Sequence, residues 1–257
     1  MLKLLDIREM ALAVGFDDCG VARAMALDDE EFALRQWLSE GKHGELGYME
    51  RNIEKRMDPR ELVPGARSVI CCVKAYPPPE RGLLEMESGE RVAAYAHDGR
   101  DYHKEIRDML FGLMQRLGIE GKCCCDTVPI SDKHWAARAG LGWIGRHSLL
   151  ITPRWGTWVN LGEIVTTEEV EGVESKEGKV ERDVWKGRSE KCSGCNLCVK
   201  ACPNHALDGG MLDVTRCTAY YNTHHQRIMP KDLSNGGYSL GCDICQLACP
   251  WNNRVRK

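Results

Sequence analysis

The 257 residues are enough for one large or two modest hydrophobic cores. With 43% hydrophobic and 28% charged residues and a net charge of −3, the chain reads as globular and carries no global electrostatic footprint for nucleic acid or an anionic membrane, although a local basic patch stays open. Residues 1–20 mix Lys3, Asp6, Arg8 and Glu9 with apolar residues and so do not read as a signal peptide; no run approaches the roughly 18 apolar residues of a membrane span, and fourteen cysteines without a secretion signal fit a reducing cytoplasm in which thiolates are free to bind metal.

In chain order, apolar spacing predicts a helix over 3–15 that stops at Gly15 and a second over 29–40 before Gly41. Pro59, Pro64 and Gly65 punctuate loops, and 68–75 is β-rich and mostly apolar, a buried strand. Residues 77–90 form a Pro/Gly/Glu-rich loop, 101–117 a strongly amphipathic helix and 121–128 a strand, and Ser131 caps a helix over 132–139. A Gly-rich loop over 140–157 leads to a strand over 158–165, and the charge-dominated stretch 167–190 reads as a solvated connection between two domains.

Two cysteine groups close the sequence. The first is Cys192-x2-Cys195-x2-Cys198-x3-Cys202-Pro203; the second is Cys217 followed by Cys242-x2-Cys245-x3-Cys249-Pro250. A two-residue gap lets neighbouring thiolates converge on one face of a 4Fe–4S cube, and in two-cluster ferredoxins the fourth cysteine of such a run ligates the other cluster. That crossing gives Cys192, Cys195, Cys198 and Cys249 to one cluster and Cys202, Cys217, Cys242 and Cys245 to the other, using all eight. Paired structural zinc sites also employ Cys-x2-Cys, but the full run ending in Cys-Pro is far more specific to iron–sulfur.

The remaining cysteines, Cys19, Cys71, Cys72, Cys123, Cys124 and Cys125, read as small buried hydrophobes. Gly140-Leu-Gly142-Trp-Ile-Gly145 matches a dinucleotide fingerprint, but that motif needs a strand before it and a helix after it. Here a helix precedes and Pro153 follows, so these glycines read as close backbone approach or tight turning. By residue type alone Asp126, shortly before Pro129, is a turn or capping residue, and Asp132 at a helix start is a dipole partner.

The segments HGELGYMERNIEKRMDPRELVPGARSVI, AYAHDGRDYHK, CDTVPISDKHWAARAGLGWIGRHSLLITPRWGTWVNLGEIVTT, CSGCNLCVKACP and GCDICQLACPWN resemble, in order, the epoxyqueuosine reductase family, and the resemblance runs from about residue 8 to 253. It implies an α+β fold: a nitroreductase-like α/β domain over 1–166 that binds cobalamin and substrate, a charged linker over 167–190, and a ferredoxin-like module with two 4Fe–4S clusters over 191–257. It implies an oxidoreductase dependent on cobalamin and iron–sulfur that reduces epoxyqueuosine to queuosine in tRNA, in a short form without the family's usual C-terminal extension. Asp126 matches the family's proton donor, with Asp132 the nearby second candidate. Opening an epoxide leaves an alkoxide that a poised carboxylic acid protonates, and burial at the end of the 121–128 strand is expected to raise the pKa of such an acid.

Arg56, Tyr102, His103, Asp126, Arg146, His147, Ser148, Gly156 and Thr157 match positions expected around the corrin, with no histidine on the metal. Arg56 and Arg146 suit propionamide or phosphate oxygens. The implied partners are tRNA carrying epoxyqueuosine and a low-potential electron donor such as a flavodoxin or ferredoxin, for a monomeric, cytoplasmic protein without a membrane segment. Four departures from the family pattern keep a related cobalamin-dependent reductase with a different substrate open: the end at Lys257, the acidic linker, Cys217-Thr-Ala-Tyr-Tyr-Asn222, and Gly145-Arg146-His147. The cysteines alone also allow a ferredoxin-like electron carrier without catalysis, though a carrier has no need of about 190 residues ahead of its clusters.

Overall fold

The computed structural model describes residues 2–79, 89–173, 190–208, 211–223 and 227–253. A short strand β1 (Leu2–Lys3) runs into helix α1 (Leu4–Ala13), followed by β2 (Asp18–Arg23), α2 (Asp28–Ser39), α3 (Ile53–Met57), α4 (Pro59–Leu62), β3 (Ser68–Ala75) and β4 (Arg91–Val92). Then come α5 (Tyr102–Leu117), β5 (Lys122–Cys124), α6 (Asp132–Arg138), β6 (Trp143–Ile144), β7 (Leu150–Ile151), β8 (Val159–Thr166) and β9 (Val170–Glu171). The cysteine-rich part adds α7 (Leu197–Ala201), β10 (Leu207–Asp208), β11 (Met211–Leu212), α8 (Thr218–Thr223), β12 (Tyr238–Leu240), α9 (Ile244–Leu247) and α10 (Pro250–Asn253).

The helices start where their sequences favour it. Four carboxylates, Asp28 to Glu31, open α2, where the positive end of the helix dipole stabilises them. Asp58 and Asp101 cap α4 and α5 by accepting from the N–H groups of Arg60 and His103 at 2.9 and 3.1 Å, and Pro59 fills the first turn of α4.

The central sheet has the order β2-β3-β8-β5, antiparallel throughout. Because side chains alternate across a sheet, β3 sends Val69, Cys71 and Val73 toward Leu34, Trp37, Ile53, Met57, Trp135 and Ala136 of α2, α3 and α6. It sends Ile70 and Cys72 the other way, onto Ile7 and Ala11 of α1 and Ile106, Leu110 and Leu113 of α5. Burial on both faces explains why 68–75 reads as a continuous apolar run.

The cysteine-rich part joins the first of these cores through Val214 and Tyr220. The Trp37 indole donates to Leu212 O at 2.6 Å, and the Glu45 N–H donates to the Tyr220 hydroxyl at 2.8 Å. Strand β12 pairs in parallel with β4. Among the described residues no helix is long and apolar enough to cross a membrane.

Several sequence expectations change. The strand expected over 121–128 lasts only three residues, Lys122–Cys124. It is a sheet edge that pairs β8 no further than Glu163, after which Thr127 N–H turns back to Cys125 O and Asp126 takes φ 51°. Aspartate is among the few non-glycine residues that tolerate that left-handed conformation. Ser131 does not cap α6, because its hydroxyl pairs with His134 Nδ1 at 2.7 Å. The Gly-rich 140–157 loop contains the β6–β7 hairpin. A Cβ on Gly142 would lie 2.2 Å from Ile151 O, which accounts for the glycine spacing without a dinucleotide. Of the 77–90 loop, residues 80–88 lie outside the described residues, as do 174–189 of the charged stretch, whose earlier Val170–Glu171 pairs in parallel with Leu2–Lys3.

Candidate functional site

Chain turns set the first cysteine group. Cys195 N–H folds back onto Cys192 O at 3.1 Å, α7 presents Cys198, and the end of α9 delivers Cys249. Cys192, Cys195, Cys198 and Cys249 line one cavity of about 220 Å³, with Arg146, His147 and Trp251 in its wall. The second group, Cys202, Cys217, Cys242 and Cys245, sits together closely enough that ionising one thiol opposes ionising the others. Cys198 is also within electrostatic reach of Cys245, so the two groups are neighbours.

All fourteen cysteines are free thiols. Among the described residues, no three of His, Cys, Asp and Glu converge to hold a single metal ion. A cavity of this size lined by four thiols suits a 4Fe–4S cube. The wall fits such a group. His147 Nδ1 accepts from Leu149 N–H at 3.2 Å, so the proton sits on Nε2, and burial pushes the imidazole down to about 4, leaving it neutral. His147 Nε2 and Arg146 Nε are both buried without a partner. These are donors in want of acceptors, which cluster sulfides provide.

A buried polar network ties this region to the sheet. Thr157 N–H donates to Asn252 Oδ1 at 2.8 Å, Asn252 Nδ2 donates to Thr157 Oγ1 and Gln246 O at 2.7 Å each, and the Thr157 hydroxyl donates to Gln246 Oε1 at 2.7 Å. Gln246 Nε2 reaches Asp243 Oδ1 at 2.7 Å, and Asp243 Oδ2 accepts from Ala94 N–H at 2.7 Å. Gly156 and Thr157, expected at the corrin, therefore have their polar groups engaged between strand β8 and the cysteine helices. At Gly156, with φ 59°, a Cβ would fall 2.0 Å from Asn252 Oδ1.

The second constellation is acidic. Helix α5 opens with Tyr102 and His103, whose rings stack at 4.0 Å. The Tyr102 hydroxyl donates to Asp126 Oδ2 at 2.5 Å, and His103 Nε2 lies 3.1 Å from the same oxygen while its Nδ1 lies 3.0 Å from Asp101 Oδ1. Burial, and then the bond to Asp126, hold the Tyr102 phenol protonated well above its ordinary range. Asp126 is not buried as expected, since its side chain is 48% exposed. The strand ends before reaching it, and the α5 side chains fix the carboxylate instead.

Arg56 faces Asp132, with Nη2 donating to Tyr48 O at 3.3 Å and Nε buried without a partner. Ser148 contributes its carbonyl, which holds Lys133 Nζ at 2.8 Å. Tyr102, His103 and Asp126 thus come together, while Arg146 and His147 stand in the wall of the cysteine cavity. Sequence reasoning met Glu163 only as the acidic residue downstream of the Gly140–Gly145 motif and set it aside with that motif; it is fully buried on β8 and touches Asp132, and a glutamate in a strand covered on both faces was the available signal.

Residues 191–252 match the family model for the 4Fe–4S double cluster binding domain, and with the antiparallel sheet domain this defines a two-cluster iron–sulfur protein of α+β fold. Residues 56–132 match the model for epoxyqueuosine reductase QueG, DUF1730. The epoxyqueuosine reductase of Cyclobacterium marinum is 34% identical over 256 residues, covering 96% of this chain and 78% of that one. That of Gloeobacter violaceus is 36% identical over 262 residues, covering 98% and 76%. The chain belongs to the epoxyqueuosine reductase family. Among solved structures, an epoxyqueuosine reductase with an epoxyqueuosine-modified tyrosine tRNA stem loop superimposes with a TM-score of 0.82 at 30% identity, covering 97% of this chain and 65% of that chain. The Bacillus subtilis enzyme, with its catalytic aspartate loop swung out of the active site, gives 0.77 at 28% identity over 96% and 64%. The chain thus spans slightly under two thirds of those structures. The catabolic reductive dehalogenase NpRdhA, at 18% identity and a TM-score of 0.56, shares the fold.

Proposed function

We propose that this chain is a cobalamin- and iron–sulfur-dependent oxidoreductase that reduces epoxyqueuosine in tRNA to queuosine. The observation that carries the reading is Asp126, an accessible carboxyl group aimed by Tyr102 and His103, in a chain that also gathers eight cysteines into two adjoining groups. Cys192, Cys195, Cys198 and Cys249 would hold one cluster, and Cys202, Cys217, Cys242 and Cys245 the other. Arg56, whose Nε is buried without a partner, fits the amide oxygens of a corrin, with Tyr102, His103, Asp126 and Ser148 beside it. When bound, the clusters supply low-potential electrons and cobalamin supplies the carbon–oxygen bond chemistry.

The chain's own residues orient and protonate. Tyr102 and His103 occupy Asp126 Oδ2, which leaves Oδ1 to face the epoxide oxygen and hand it a proton as the bond opens. The antiparallel sheet with helices on both faces is consistent with a nitroreductase-like domain. A flavodoxin or ferredoxin would deliver electrons near half-exposed Leu197, beside Cys198. One chain supplies every one of these groups, which supports action as a monomer, and fourteen free thiols support a cytoplasmic setting.

The test is direct. Full-length protein loaded with iron–sulfur and cobalamin, given a low-potential reductant and an epoxyqueuosine-modified stem loop, should yield queuosine on nucleoside digestion. Unchanged epoxyqueuosine with all cofactors in place would overturn the assignment.

A further inference from the structure

Glu163 is 0% exposed and both its carboxylate oxygens are buried without a donor. It lies in the middle of β8, paired with Cys71 on one side and Cys124 on the other. The alternation of the sheet points all three toward the face that α6 covers. Neither thiol serves it, because Cys71 Sγ is directed to Val69 O at 3.9 Å and Cys124 Sγ to Lys122 O at 3.5 Å.

What does reach Glu163 is another carboxyl group. Asp132, in the first turn of α6, lies within hydrogen-bonding distance of it, and Asp132 Oδ1 is likewise buried and unpartnered. The nearby cations act on Asp132 only through space, because Lys133 Nζ donates to Ser148 O and Arg56 Nη2 donates to Tyr48 O. Two ionised carboxylates are acceptors only, so this contact is satisfied by one thing, a proton held between them. Burial drives both groups the same way, Glu163 well up and Asp132 up to about 6. Glu163, the more deeply enclosed of the two, is the better holder of that proton.

The pair is also placed to act. Burial decreases in steps from Glu163, fully enclosed, to Asp132, half-buried, to Asp126, exposed, and both inner carboxyls are electrostatically coupled to Asp126. Removing an epoxide oxygen as water breaks two carbon–oxygen bonds, takes up two electrons from the low-potential donor and consumes two protons. On the proposed function Asp126 delivers one of them. We propose that Asp132 and Glu163 share a single proton and keep the second one in reserve for that reaction, passing it outward once Asp126 has given up its own. After turnover, Asp126 and the pair regain one proton each from solvent. The assignment rests on reading the chain as an epoxide reductase, and Asp132 and Glu163 are supporting groups that act through Asp126 without touching substrate.

The shared proton is read without turnover. Infrared spectra of the iron–sulfur-loaded full chain at neutral pH should show a protonated carboxyl band that shifts in heavy water and vanishes in Glu163→Gln. Stability follows the same proton. A carboxyl whose folded pKa is raised stabilises the fold at low pH and loses that contribution as pH rises from the unfolded value, about 4, through about 6 for Asp132 and beyond for Glu163. Melting temperature should therefore fall across that window in the native chain and fall less in Glu163→Gln. In the fully loaded enzyme, Glu163→Gln and, as a second variant, Asp132→Asn should lower kcat roughly 10- to 100-fold with KM unchanged and the pH profile displaced. A band that persists in Glu163→Gln, or one missing from the native chain, overturns the shared proton. Native kcat and pH profile in both variants overturn its role. If the native enzyme leaves the modified stem loop unreduced while the band is present, the functional reading fails and the shared proton stands.

Discussion

The cysteine region and the acidic site are built on opposite plans. The eight cysteines come from two compact runs and one extra residue, all within 192–249, and short turns place them. The acidic site draws Arg56 from α3, Tyr102 and His103 from α5, Asp126 from a turn, Asp132 from α6 and Glu163 from β8, and only the folded sheet brings them together. Spacing therefore specifies the first, and tertiary packing the second. Lesions should separate accordingly: those in the cysteine region in iron content, those in the acidic site in rate at full iron content.

The largest effect is expected from Cys198→Ala. It takes one of four thiols from the cavity lined by Cys192, Cys195 and Cys249 and should leave about four of about eight irons per chain, with epoxide reduction abolished; iron analysis together with the nucleoside assay checks both. Asp126→Asn should retain the iron and lower kcat by about 10²- to 10⁴-fold. If iron were lost with it, the two regions would not be separable. Asn252→Ala should act between them, because it strands the buried Thr157 N–H; a cost of about 1–3 kcal/mol in denaturant unfolding is expected, with a smaller loss of rate than for Asp126→Asn.

The same contrast explains what could be read from the sequence. Strand β3 was legible as a mostly apolar run of eight residues and helix α5 by one clear helical period over sixteen, and the cysteine groups were legible because their spacing has few other uses. The end of β5 was not, because an apolar, cysteine-rich run looks the same whether or not a neighbouring strand continues beside it; pairing stops at Cys124. Ser131 looked like a cap because nothing local reveals that His134 will take its hydroxyl. Gly156 and Thr157 match corrin-facing positions by residue type, and nothing local reveals that Asn252, 95 positions further along the chain, also engages Thr157. Glu163 was hidden by its company, one charge in a strand whose partners on both sides are thiols.

The turn at Asp126 has one more consequence. Its φ of 51° takes the residue off the sheet, so no backbone ladder governs where its carboxylate points. The aim is set by a two-pronged latch, the phenol and imidazole at the head of α5. A change that rotated that helix by a single position would swing the acid aside and leave the sheet and the cysteine groups as they are.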